Sequence, residues 1–252
     1  MTAGTGVVLG PFGVFGPDRH VEAIRSADQC AIADVDREGL VAISGEIRRA
    51  DTIASPLRGF EAAIAPWAIQ ERYPRREAPG YRWEVIAAGL WSGPFVLADG
   101  SDEIRVEIGD HRTTTGSSAD QAEGALGESR RRGQGRISTE EVLALFDTMA
   151  MVQSAEPGDE TTDRIADFVD RLPGVGSHAG HLGHLWGLLF GGKRLYYETT
   201  IDVGDEITIV GRAEAPVSTA PRGPDDLVVR APEDGGGLVT DDPYESVLAD
   251  LE

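Results

Sequence analysis

Residues 93–108 read Gly-Pro-Phe-Val-Leu-Ala-Asp-Gly-Ser-Asp-Glu-Ile-Arg-Val-Glu-Ile. Two short apolar runs, 95–97 and 104–108, flank Asp99-Gly100, a tight-turn pair in which glycine tolerates the positive backbone dihedral required. The stretch therefore predicts two strands around a turn. Working outward, residues 41–48 alternate as a strand, 61–71 form a longer apolar run around Trp67, and 82–88 bring Trp83, Val85 and Ile86. Strands this short and closely spaced pair antiparallel rather than through βαβ crossovers. The expected class is α+β but mainly β: an antiparallel, barrel-like, β-rich domain carrying a helical and flexible insertion.

Ahead of these strands, Pro17 suits a first helical turn, and His20, Ile24 and Ala27 recur at helical spacing, predicting a helix over 17–28. Beyond them, 113–135 turns to Thr, Ser, Gly, Glu and Arg and reads as a surface loop. Ser138 and Glu141 make a capping-box pattern before Val142, Leu143, Leu145 and Phe146, predicting a helix to Met151. A second cap at Thr162 precedes Ile165, Phe168, Val169 and Leu172, with Pro173-Gly174 as the stop. Residues 193–202 and 206–212 are β runs joined by Val203-Gly204-Asp205 as an expected hairpin; 227–229 adds a strand and 243–251 a terminal helix. The expected division is an apolar, flexible start (1–16), a β-rich domain (17–213) with an insertion at about 113–192, and an acidic tail (214–252).

Composition narrows the function classes. The chain carries 43 Asp and Glu against 23 Lys and Arg, Lys193 being the single lysine, for a formal charge of −20. Such a charge drives expansion by self-repulsion in dilute buffer, and salt screens it, with a Debye length of about 3 Å at 1 M. Arginine in place of lysine beside abundant carboxylates is the composition of salt-accumulating halophiles, so an archaeal halophile is the expected source. Nucleic acid is not an expected partner, because neutralising phosphates needs clustered cations. The dense basic patch, Arg130, Arg131, Arg132 and Arg136, reads as a solvated loop.

A lone cysteine, Cys30, excludes an internal disulfide and a cysteine zinc cluster and fits a reducing cytoplasm. No stretch approaches the roughly 20 apolar residues of a membrane span. The apolar start at 7–15 is short, is broken by Gly10, Pro11 and Gly13, and lacks a basic leader. A cytoplasmic protein is expected, with peripheral membrane attachment through that start as an alternative.

Ser55-Pro56-Leu57-Arg58-Gly59 before a long strand, then Trp83 and Gly89, then 94–100 and Val106, resembles the GIDE domain, also called the BAM (beside-a-membrane) domain. Near the other end, Tyr197-Glu198, Ile201, Gly204-Asp205 and Ile209-Val210-Gly211 are similar to that family's closing hairpin. Order and spacing agree over 17–213. Eukaryotic relatives carry a RING with ubiquitin or SUMO ligase activity, but a RING needs cysteine-rich zinc ligands and the chain after Gly211 has neither Cys nor His. Ala62 departs from the cysteine common in the family, and its flanking membrane spans are missing. The resemblance thus implies a RING-less member in membrane-linked stress or protein-quality signalling.

Among candidate sites, His178, His181 and His184 recur every three residues. On a helix such positions spread over about 120°, so a divalent ion could touch two or three of them, although Gly174, Gly176, Gly180 and Gly183 weaken any helix there. Glu198, beside two tyrosines, is either a buried general base or, with no acid partner or nucleophile in view, a hydrogen-bonded anchor for the hairpin. Trp67, Trp83, Phe95 and Tyr197 read as packing rather than a ligand platform. Gly191-Gly192-Lys193 lacks the rest of a P-loop, and no serine occupies a Gly-x-Ser-x-Gly elbow. The expectation is a non-catalytic interaction domain with no cofactor and no catalytic residues, binding a protein or peptide through exposed strands or the insertion. The alternative is a metal-binding protein or metal-dependent hydrolase built on His178, His181 and His184.

Overall fold

The computed structural model describes residues 6–9, 22, 24–74, 79–114, 149–172, 175, 192–216, 227–232 and 237–250. The opening stretch is as expected: β8 (Phe95–Ala98) and β9 (Glu103–Glu107) pair antiparallel about a turn with Gly100 at φ 86°. On its other side β8 pairs with β3 (Gly39–Ala50), and β3 pairs along its length with β13 (Glu206–Glu214). The far edge of β13 holds β14 (Val228–Arg230). β14 then runs parallel to β9, with Val229 opposite Val106, and closes a five-stranded barrel. In chain order these strands connect 1-2-3-5-4-1, the connectivity of an OB-type Greek-key barrel. The fold is mainly β, as composition and pattern predict. Its closure rests on a parallel pair, against the antiparallel expectation.

Alternation explains the barrel. Ile43 and Ile47 of β3, Leu97 of β8, Val106 of β9, Ile209 of β13 and Val229 of β14 point inward and are fully buried in one cluster. Each such side chain contributes about 1.5–3 kcal/mol by leaving water. The intervening residues face out. Ala42 and Val210 are themselves covered by Ile24, Leu238 and Tyr244.

That cover involves segments assigned above to start and tail. β15 (Gly237–Thr240) pairs with β13, β1 (Gly6–Leu9) with β15, and α2 (Tyr244–Asp250) packs on the outside through Tyr244, Val247 and Leu248. The Tyr244 hydroxyl donates to the Ile24 carbonyl. The sheet thus continues past residue 213, because Leu238 and Val239 are buried strand residues despite the acidic surroundings. Glu22 and residues 24–26 are helical, but Asp28 and Gln29 form β2 and pair with Val41 and Ala42, so the predicted helix stops earlier.

The connections after β3 and after β9 build a second sheet. The first supplies the β4 (Ile53–Ala54) and β5 (Glu61–Ala62) pair, then β6 (Ile64–Pro74) and β7 (Tyr81–Ser92). The second supplies β10 (His111–Thr114), β11 (Ala150–Ala155), α1 (Asp163–Val169) and β12 (Arg194–Glu198). Sheet order is β10-β7-β6-β12-β11. One face, through Ile64, Ala68 and Leu90, joins the barrel core. The other, through Trp67, Ile69 and Tyr196, takes Ile165, Phe168 and Val169 of α1. Trp67 and Phe168 stack edge to face, centroids 4.7 Å apart.

Three local expectations meet their outcome here. The Thr162 cap is present, its hydroxyl oxygen accepting from the Ile165 N–H, and α1 ends at Val169. Ala150 and Met151 are strand, not the end of a helix from Ser138; the rest of that helix lies outside the described residues. The hairpin across Val203-Gly204-Asp205 is a correction. β12 and β13 belong to different sheets, and Gly204, at φ 101°, turns the chain from one to the other while its N–H donates to the Ile47 carbonyl. The β runs were legible, but their partners were set by which faces each could bury.

Candidate functional site

The two motif stretches quoted above, about 140 residues apart, meet in one contact. Glu198, at the end of β12, is fully buried beneath the loop over residues 55–60 that joins β4 to β5. Its Oε2 accepts from the Leu57 N–H at 2.6 Å, and its Oε1 accepts from the Ser55 hydroxyl at 2.8 Å and the Arg58 N–H at 3.2 Å. Consecutive backbone N–H groups curled around an anion form a nest, which is the loop's reason for wrapping a carboxylate. Pro56 has no N–H to offer and pre-sets the first bend.

The rest of the loop is closed by its own polar groups. The Ser55 N–H donates to the Phe60 carbonyl, and the Phe60 N–H donates back to the Ser55 hydroxyl oxygen. The Gly59 N–H donates to the Ser55 carbonyl, which also accepts from Arg164 of α1 at 2.8 Å. Gly59 sits at φ 78°, which favours glycine, and a Cβ there would lie 2.8 Å from the Arg164 guanidinium and push that tether aside. Every tether runs through backbone or through Ser55, Glu198 and Arg164. The side chains of Arg58 and Phe60 are left for other use.

This arrangement decides the reading of Glu198. Both carboxylate oxygens are spent on donors, neither Glu198 nor Ser55 reaches solvent, and the Ser55 hydroxyl both donates and accepts within the loop. The group is an anchor, and it is not a base open to substrate. What it makes is a rigid tip: Phe60 stands 58% exposed, with the Arg58 guanidinium 5.9 Å from its ring centroid.

One strand away lies an edge. β11 pairs with β12 on one side, Ala150 opposite Glu198, and is the last strand of its sheet among the described residues. Its sequence, Ala-Met-Val-Gln-Ser-Ala, carries no charge, and Met151 is 55% exposed. Edge strands are ordinarily blunted by charge or proline because their free N–H and C=O groups invite another strand. Gln153 ties β11 to the approach to α1, its Oε1 accepting from the Thr162 N–H.

The other sequence candidates fall as follows. His178, His181 and His184 lie outside the described residues, as do Arg130, Arg131, Arg132 and Arg136. Among the described residues no cluster of His, Cys, Asp and Glu could hold a metal ion, and no helix is long and apolar enough to cross a membrane. Trp67 and Phe95 are buried core, and Tyr197 packs against the barrel cluster. Cys30 is half-buried, and burial, then Asp28, Asp34 and Asp99, push its thiol up, away from the reactive thiolate. Sequence reasoning missed the buried pair of Arg194 and Glu71, 2.7 Å apart across β12 and β6. An arginine opening a strand of alternating burial, Arg-Leu-Tyr-Tyr-Glu, was the available signal. It also missed Arg164, whose carbonyl partner nothing in the sequence marks. No protein-family model, curated protein or solved structure matches this chain.

Proposed function

We propose that this chain is a non-catalytic, cytoplasmic protein-interaction domain, of the RING-less GIDE/BAM kind, that captures an extended peptide segment of a protein partner by strand addition at β11. The observation that carries this reading is the uncharged edge of β11, which has no strand partner on its outer side among the described residues. Main-chain hydrogen bonds to such an edge supply affinity with little demand on sequence. β1 is another uncharged edge but is four residues long against six, and β2 is only two.

The barrel supports the same reading by what its surface lacks. OB-type barrels bind oligonucleotides across the strands equivalent to β8 and β9. Here Glu103 is paired with Arg49 at 2.6 Å, and Glu107 with Arg105 at 2.6 Å and Arg230 at 2.9 Å. Arginines already neutralised by carboxylates do not release phosphate counterions. The meeting of Ser55-Pro56-Leu57-Arg58-Gly59 with Glu198 supports reading both stretches of the family resemblance as one structural unit.

Selecting peptides on the full chain at high salt, then following amide hydrogen exchange with and without a selected peptide, tests the proposal. Protection is expected at 150–155. Binding without protection there would refute strand addition at β11.

A further inference from the structure

We propose that the Arg58–Phe60 tip is the specificity element of the β11 edge, selecting peptides that carry a carboxylate next to an apolar residue. This rests on the strand-addition reading and names the chemistry of its ligand. The first observation is an unsatisfied cation. Arg37, Arg48, Arg49, Arg72, Arg105, Arg194, Arg212, Arg230 and Lys193 each have a carboxylate within 4.0 Å. Arg58, like Arg164 and Arg171, makes no ion pair among the described residues, but where those two donate to the Ser55 and Asp167 carbonyls, its guanidinium faces the Phe60 ring. In a chain with 43 carboxylates, an arginine left without one offers its fork of donors to a carboxylate from elsewhere.

The second observation is preorganisation. Surface loops are normally mobile, but this one is fixed by a fully buried glutamate, a buried serine and an arginine from α1. A rigid loop that displays an aromatic and an arginine avoids the ordering entropy that a mobile one loses on binding, and these residue types dominate binding energy at interfaces. Phe60 gives the exposed apolar surface that a neighbouring ligand side chain covers.

The third is position. Glu198, which holds the Arg58 N–H, is opposite Ala150 at the start of β11, one interstrand spacing of about 5 Å away. The N-terminal end of α1 lies between them, its cap Thr162 donating to Gln153 of β11 and Arg164 of its first turn donating to the Ser55 carbonyl of the loop. A peptide laid along the outer side of β11 passes Ala150 two interstrand spacings, about 10 Å, from Glu198, with Met151, exposed on the same strand, beside it, and the side chains of the tip and of the peptide have that distance to cover between them.

Phage display of random dodecapeptides on the full chain, on Arg58→Gln and on Ser154→Lys separates the two proposals. Neither Arg58→Gln nor Phe60→Ala removes a tether of the loop, since only backbone atoms of those residues are used. The wild-type chain is expected to enrich Asp or Glu beside an apolar residue, and Arg58→Gln to lose that enrichment while still selecting β-forming peptides. For one selected acidic peptide, Arg58→Gln should weaken binding about tenfold, and replacing the peptide's acid by its amide should cost the same in wild type and nothing further in the variant. Phe60→Ala should weaken it several-fold. Ser154→Lys, which places a charge on the edge, should lower capture of all peptides. Acid enrichment that survives Arg58→Gln, or its absence in wild type while Ser154→Lys still blocks capture, would overturn the specificity role and leave strand addition standing. No peptide capture by wild type would overturn both.

Discussion

The barrel and the sheet built on it handle charge in opposite ways. On the barrel, ionised side chains sit outside in short ladders, such as Arg49 with Glu103 and Arg105 with Glu107, all at least a third exposed or nearly so. In the second sheet, beside partly exposed pairs of Arg72 and Lys193 with Glu156, some are inside: Arg194 and Glu71 are 8% and 6% exposed, and Glu198 is completely buried. Exposed pairs are worth little, because water and salt compete for them. A buried charge is costly alone, so the sheet around it must supply partners. The acidity that makes the barrel surface interchangeable thus makes a few positions of the second sheet irreplaceable.

The largest effect should come from Glu198→Ala, which leaves the Ser55 hydroxyl and the Leu57 and Arg58 N–H groups without an acceptor. At about 1–3 kcal/mol for each of the three orphaned groups, a loss on the order of 6 kcal/mol is expected in denaturant unfolding. A loss under about 1 kcal/mol would show that the loop is not anchored as described. Next is Arg194→Met, which strands Glu71 in the interior and should cost about 3–5 kcal/mol. Adding Glu71→Leu should recover most of it. A double variant as unstable as the single one would mean the pair holds more than itself.

A smaller effect belongs to the barrel turn of the opening stretch. Asp99 accepts from the Ile32, Ser101 and Asp102 N–H groups and from the Ser101 hydroxyl. Burial opposes its charge, but these hydrogen bonds outweigh that and lower its carboxyl from 3.8 to about 2. The folded value is depressed, so its stabilisation is complete above pH 3.8 and is lost as pH falls toward about 2. Asp99→Ala should cost about 1 kcal/mol at neutral pH, and the difference from wild type should shrink over that acidic window. Smallest is Arg49→Ala, expected to change stability by under about 0.5 kcal/mol and by less still at high salt. A cost equal to that of Arg194→Met would erase the contrast between the two regions.

Much of the barrel could be read from residue order. The alternation of Ile104, Val106 and Ile108, the glycine turn at Asp99-Gly100 and the Thr162 cap are local, and local sterics and periodicity decide them. The candidate site was half legible: Ser55-Pro56-Leu57-Arg58-Gly59 and Tyr197-Glu198 were each visible, but nothing in their spacing says that one carboxylate binds the other's backbone. A nest is made of main-chain groups, which every sequence possesses. The buried tail strand Leu238–Val239 hid for a related reason, since acidic and glycine-rich neighbours masked one side chain in the barrel core and one under its outer cover.

What the sequence determined by itself is therefore the β class, the strong acidity and the positions where the chain turns, because these depend on each residue and its near neighbours. The tertiary structure decided which strands became partners. Gly204 was legible as a turn, yet whether it closed a hairpin or sent β13 into the other sheet depended on faces buried by β3, β14 and β15, far away in the chain. The same long-range pairing put Glu198 under the loop at 55–60 and β11 beside it, the last strand of its sheet among the described residues. Contacts between distant segments carry no local signature, since each segment satisfies its own propensities equally well in either arrangement.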